Sequence, residues 1–258
     1  MINITSYKEL KEYITAFSKL KINFLTILSR GGLGKTFLVE EILAKNSPLV
    51  LNGHCTPLSL YKSLKYENEL DTSFILVIDD VDGILHNDTN VAILKAVCDT
   101  KDKKTVKYTS TTRLLSESDK EFQTSCKTIL LTNKLTVCDD NLTALITRAN
   151  VINFNPSDIE ILSFLKTFAK DKEIIKFIET YAKISKKLNL RVYARALELK
   201  NSNLNWKQEV LNSMEVNPTY AEFDELKSKY KTEKERITNF SLGRASYFRI
   251  KKILNSKK

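Results

Sequence analysis

The pattern of apolar and polar positions changes character at residue 156. Before it, short apolar runs alternate with amphipathic stretches. The runs are 22–29 (INFLTILS), 48–53 (PLVLNG), 73–80 (SFILVIDD), 127–133 (KTILLTN) and 150–154 (NVINF). Each is short and bounded by turn formers, and the longest are apolar at successive positions, as strands buried on both faces of a parallel sheet are. Between them, apolar residues recur at helical spacing. Leu10, Tyr13, Ile14 and Phe17 predict a helix over 5–18, capped by Thr5 or Ser6. Leu38, Ile42 and Leu43 predict one over 35–45. The stretch 56–66 opens with Thr56 as cap and Pro57 at the first helical position. Helices over 90–99 and 139–148 complete the series, and the polar, alternating 105–115 predicts a hairpin or an insertion. Strand alternating with helix predicts an α/β fold with a parallel sheet and helices on each side. After Pro156 only helical spacing remains, at about 157–169, 171–188, 190–200 and 205–213, which places a domain boundary near 155–156.

The junction of the first long strand and its helix carries the chemistry. The segment 29–36 reads SRGGLGKT. It matches a phosphate-binding loop, Gly-x-x-x-x-Gly-Lys-Ser/Thr, except that Ser29 stands at the first glycine. Backbone N–H groups of Gly31 to Thr36 can wrap a β-phosphate if the glycines permit close approach, and the nucleotide-binding candidates are Ser29, Arg30, Gly31, Gly32, Leu33, Gly34, Lys35, Thr36 and Phe37. The following helix aims its amino end at the anion. Lys35 would offset β/γ charge, and Thr36 would offer its hydroxyl to Mg²⁺. The competing reading is a glycine turn beside an ordinary surface lysine. The strand 73–80 ends in Asp79 and Asp80 at the carboxyl edge, where α/β proteins bind ligands. Asp79 is the candidate metal carboxylate, through water. Asp80 is the candidate that orients or deprotonates attacking water. Both could instead simply cap the next helix.

These motifs, GGLGKT and LVIDD with the strand-end Asn of ILLTN and two later arginines, resemble the AAA+ ATPases over about residues 20–200. The Asp-Asp ending is similar to that of replication initiators and helicase loaders, and the arrangement to small bacteriophage ATPases. The resemblance implies a P-loop NTPase core (1–155), a helical lid (156–213) and a small basic carboxyl-terminal module (214–258). It also implies ATP and Mg²⁺ as ligands and assembly into a homo-oligomeric ring or spiral. Asn133 matches the position that senses the γ-phosphate. Arg148 matches the arginine finger offered to a neighbouring subunit, and Arg191 the lid arginine, with Arg195 one turn later as its competitor. A GTPase is disfavoured, since Thr136 stands where the guanine-pairing Asp of Asn-Lys-x-Asp belongs. A small-molecule kinase fits the helical region and basic tail poorly.

Charge adds a second region. Of the +10 net charge, most sits in 227–258, where eleven lysines and arginines face only Glu233 and Glu235. Such a terminus points to an acidic partner, most often nucleic acid. EKERITNF and RASYFRIKKIL, joined by a turn at Gly243, resemble a helix-turn-helix. Ala245, Phe248 and Ile253 are the expected core contacts. Arg244, Ser246, Tyr247, Arg249, Lys251 and Lys252 are the residues expected to face DNA. A basic helix docking on a protein partner remains open. Lys103, Lys104, Lys107 and Arg113 offer a weaker DNA-facing hairpin, with a solvated loop the simpler reading.

The remaining composition narrows the class. No apolar run approaches a membrane span of about 18 residues, and the amino-terminal stretch lacks the basic-then-apolar form of a secretory leader. Cys55, Cys98, Cys126 and Cys138 lie 43, 28 and 12 residues apart with only two histidines, so reduced thiols and a cytoplasmic location are expected. Two functions follow as alternatives. One is an ATP-hydrolysing protein acting on DNA as motor, loader or switch in replication, recombination or transposition. The other is a nucleotide-gated oligomerising module with little hydrolysis, gripping DNA or a protein. Remodelling of protein partners is a third, and no aromatic pore-loop signature supports threading.

Overall fold

The computed structural model describes residues 1–79, 82–85, 87–109, 115–134 and 140–256. The chain divides into two compact units, Met1–Pro156 and Ser157–Lys258.

The first unit is built on a six-stranded sheet. Its strands are β1 (Ile2–Ile4), β2 (Phe24–Leu28), β3 (Leu49–Asn52), β4 (Ile75–Asp79), β7 (Lys127–Thr132) and β8 (Asn150–Phe154). They lie in the order β1-β8-β2-β7-β4-β3, and every pairing is parallel. The central strands are those with continuous apolar runs. Leu25, Ile27, Leu76, Ile129 and Leu130 are fully buried, each worth about 1.5–3 kcal/mol of transfer free energy. Helices α1 (Tyr7–Ser18), α2 (Lys35–Leu43), α3 (Pro57–Leu70), α4 (Asp82–Leu85), α5 (Asp88–Val97) and α6 (Asp140–Ile146) connect the strands. Caps fix their starts: Ser6 accepts from the Lys8 amide, and Thr56 from Ser59 with Pro57 next in line.

Two elements were not visible in the periodicity. β1 is three residues long and joins the edge beside β8. The other is β6 (Glu121–Thr124), which pairs antiparallel with β5 (Lys104–Lys107) as a separate hairpin. That hairpin corrects the expectation for its lysines. Lys104 is buried, and its ammonium donates to the Cys126 carbonyl. Lys107 pairs with Glu121 at 2.9 Å. Arg113 lies outside the described residues.

The second unit is helical: α7 (Asp158–Phe168), α8 (Lys172–Ala182), α9 (Arg191–Asn201), α10 (Trp206–Ser213), α11 (Pro218–Lys229), α12 (Glu233–Thr238) and α13 (Gly243–Ser256). Its last three helices share a small core of Phe223, Leu226, Phe240, Tyr247 and Ile250. Among the described residues, no helix is long and apolar enough to cross a membrane.

Candidate functional site

The parallel register assembles the site. Leu28 of β2 is paired with Thr132 of β7, and Asp79 of β4 with Leu131 of β7. The residues that end these strands therefore emerge side by side at one carboxyl edge. Ser29 follows β2, its amide donating to the Thr132 carbonyl at 3.2 Å. Asn133 follows β7.

The glycine loop turns the chain from β2 into α2. Gly32 and Gly34 hold φ of 80° and 81°, left-handed values that side chains with a Cβ resist. Gly34 caps α2, and Lys35 and Thr36 are its first two residues. Their side chains diverge. Lys35 is 93% buried (7% relative exposure). Its ammonium donates to the Ser29 carbonyl at 2.7 Å, the Ser29 hydroxyl at 2.9 Å and Asn133 Oδ1 at 2.9 Å. Thr36 turns the other way, and its hydroxyl donates to Asp79 Oδ2 at 2.8 Å. A buried cation costs several kcal/mol unless strong acceptors surround it. Here the acceptors include the Ser29 carbonyl and hydroxyl and the Asn133 amide oxygen.

Ser29 is thus a participant. Its hydroxyl accepts from Lys35 and donates to the Arg30 carbonyl at 3.1 Å. A glycine at that position could do neither. Tyr7 is a second residue that the motif reading missed. At the start of α1 its ring is buried edge-on against Phe154, with centroids 5.0 Å apart. Its hydroxyl donates to the Leu33 carbonyl at 3.1 Å, pinning the middle of the loop. The available signal was a tyrosine on the apolar face of an amphipathic helix, because a buried phenol needs a polar partner. A cleft of about 310 Å³ opens beside the loop, lined by polar groups including Arg30, Asn133, Lys134, Asn153 and Asn155.

The structure brings Ser29, Lys35, Thr36, Asp79 and Asn133 together. Leu33 is buried beneath the loop, whereas Arg30, Gly31 and Phe37 lie at the surface. Asp80 lies outside the described residues. Arg148 sits just past α6, its guanidinium donating to the Ala144 carbonyl of the preceding turn. Arg191 belongs to the second unit, exposed at the first position of α9. Arg195, its competitor, faces Glu209 at 3.6 Å.

In the basic terminus one expectation is overturned. Tyr247, expected to face DNA, is buried with 2% exposure, 4.8 Å from the Phe223 ring and 5.7 Å from Phe240. Ala245 and Phe248, expected in the core, are exposed. The reason is that Tyr247 and Ile250, three apart, form a larger apolar face than Ala245 and Phe248, and α13 turns that face toward α11. Arg244, Arg249 and Lys252 are exposed, Ser246 and Lys251 half-buried. Ile253 is among the residues whose side chains are not described.

No protein-family model and no curated protein matches the sequence. Solved structures do. A point mutant of Thermotoga maritima RuvB matches with a TM-score of 0.52 and 16% identity over 86% of this chain and 76% of its own. PCH-2 from C. elegans matches at 0.45 and 16% identity over 80% of this chain. The match spans 66% of the PCH-2 chain, just under two thirds of its length. The RuvB likeness and the parallel sheet show the fold, an α/β core with a six-stranded parallel sheet followed by helices.

Proposed function

We propose that the chain is a Mg²⁺-dependent ATPase that acts on DNA as a motor, loader or switch in replication, recombination or transposition. The observation that carries this reading is the convergence of Lys35, Thr36, Asp79 and Asn133 at the ends of three neighbouring strands. The groups fit Mg-ATP by their chemistry. The buried Lys35 ammonium donates to oxygens of Ser29 and Asn133, and the Thr36 hydroxyl lies 2.8 Å from the Asp79 carboxylate. Thr36 and Asp79 would hold the ion, Asp79 through water. When bound, Mg²⁺ offsets phosphate charge and fixes the oxygens for in-line attack. Lys35 and the loop amides orient the β- and γ-phosphates. Asn133 positions water near the γ-phosphate, and Asp80 takes its proton. Arg148 offsets transition-state charge at a neighbouring subunit's nucleotide in a homo-oligomer, and Arg191 is the nucleotide-sensing arginine of the helical lid, 156–213.

The assignment to DNA rests on the terminus from Lys227, where cations outnumber acids eleven to two. A second reading is a nucleotide-gated switch that hydrolyses slowly. What favours it is the sequence: Asp80 is one methylene shorter than the Glu usual in the family the motifs resemble.

Phosphate release with and without DNA separates the two. In the wild type we expect DNA-stimulated turnover. Lys35→Ala should weaken ATP binding roughly ten- to hundredfold, as for a lost charge-assisted hydrogen bond. Asp80→Asn should retain binding and lose turnover. Intact ATP binding with no wild-type turnover would leave the switch reading standing.

A further inference from the structure

We infer that the outward face of α13 is a stacking platform for single-stranded nucleic acid, centred on Phe248. The inference rests on the DNA-acting reading above and specifies the form of nucleic acid. Large apolar side chains at a helix surface usually turn toward a core. The three-helix core here takes Tyr247 and Ile250 and leaves Phe248 outside, with 41% exposure.

The helical geometry then fixes its neighbours. At about 100° per residue, Phe248 lies roughly 160° around the helix from Ile250. Arg244 and Lys252 flank it within about 40°, and Lys251 within about 60°. The contacts agree: the Arg244 guanidinium lies 5.9 Å from the Phe248 ring centroid, and the Lys251 ammonium also 5.9 Å. Lys251 is further anchored by an ion pair with Glu233 of α12, which ties the platform to its module. The outward face is therefore an exposed ring inside a fence of cations.

Each part of that arrangement selects. The cations attract phosphate without regard to sequence. The ring adds something only if the partner presents the open face of a base, since aromatic stacking is the sequence-tolerant contact of single-strand binding. In a duplex the base faces are closed against one another. Cations alone would suffice for duplex phosphates. The same ring with flanking guanidinium can sandwich an unpaired base, because Arg planes stack as well.

The test uses the full chain and fluorescein-labelled oligonucleotides of equal length: oligo-dT, oligo-rU and a mixed-sequence duplex, read by anisotropy. Phe248→Ala should weaken single-strand binding roughly five- to a hundredfold, with duplex binding and the salt dependence unchanged. Phe248→Trp should restore it, and its fluorescence should be quenched by oligo-dT above the background of Trp206. Arg244→Ala should weaken both forms and lower the salt slope. The dT and rU arms show which sugar is preferred. Phe248 touches the core at the Tyr247 ring edge, with centroids 5.7 Å apart, so the melting temperature should fall only slightly. Wild-type affinity of Phe248→Ala for both single strands overturns the platform and leaves the DNA reading intact. Equal losses on single strand and duplex overturn it in the same way. Absence of binding to any oligonucleotide by the wild type overturns the platform and the DNA reading together.

Discussion

The chain handles positive charge in two opposite ways. In the first unit the Lys35 ammonium is buried at a sheet edge and donates to oxygens of Ser29 and Asn133. In the second, cations such as Arg244, Arg249 and Lys252 stand exposed along one helix. The first arrangement is expensive to build and specific, because desolvation makes each hydrogen bond count and geometry selects the anion. The second is inexpensive and permissive, because hydrated charges collect phosphate by number. The difference teaches where selectivity can come from. In the sheet it comes from the lysine itself, while on the helix it must come from something other than charge, which is why the exposed ring of Phe248 matters.

The largest expected effect that separates these regions is salt. Between about 50 and 200 mM, single-strand binding should fall about three hundredfold if six of the terminal cations are engaged. ATP binding should fall far less, since its principal cation is buried and little screened. Parallel titrations of both ligands check this, and equal slopes would erase the contrast. Tyr7→Phe is a smaller probe. It removes one buried hydrogen bond to the Leu33 carbonyl, worth about 1 kcal/mol. ATP affinity should fall about fivefold by calorimetry, with oligonucleotide binding unaffected. Smallest is Thr232→Ala, which breaks the capping box that Thr232 and Glu235 form at α12. Its loss should cost about 1 kcal/mol in chemical denaturation of the second unit, with ATP affinity unchanged. The hydrogen bond from Thr232 holds the Glu235 carboxyl below its ordinary range. That stabilisation is present above the ordinary carboxylate pKa and is lost as pH falls through the lowered one.

Much of the fold was legible, and the reasons are local. Ile75–Asp79 and Lys127–Thr132 are apolar on both faces because helices cover both sides of the sheet. The loop was legible because Gly32 and Gly34 sit where the backbone needs positive φ. What was missed depends on partners far away in sequence. Ile2–Ile4 is too short to show a period and becomes a strand only by pairing with Ile152–Phe154. Lys104 reads as a solvated lysine until the fold brings the Cys126 carbonyl to it. The exchange of Tyr247 for Phe248 is one step of helix rotation, which one helix's composition leaves undetermined until Phe223 and Phe240 take their places.

Ser29 carries a consequence that is a matter of valence. An ammonium has three protons to give. At Lys35 the Ser29 carbonyl, the Ser29 hydroxyl and Asn133, at 2.7, 2.9 and 2.9 Å, with the Arg30 carbonyl at 3.5 Å, already draw on them. A phosphate oxygen therefore arrives at this lysine by substitution and not by addition, and an incumbent ligand must leave. If the leaving group is Asn133, the end of β7 is untied at the moment the nucleotide is seated.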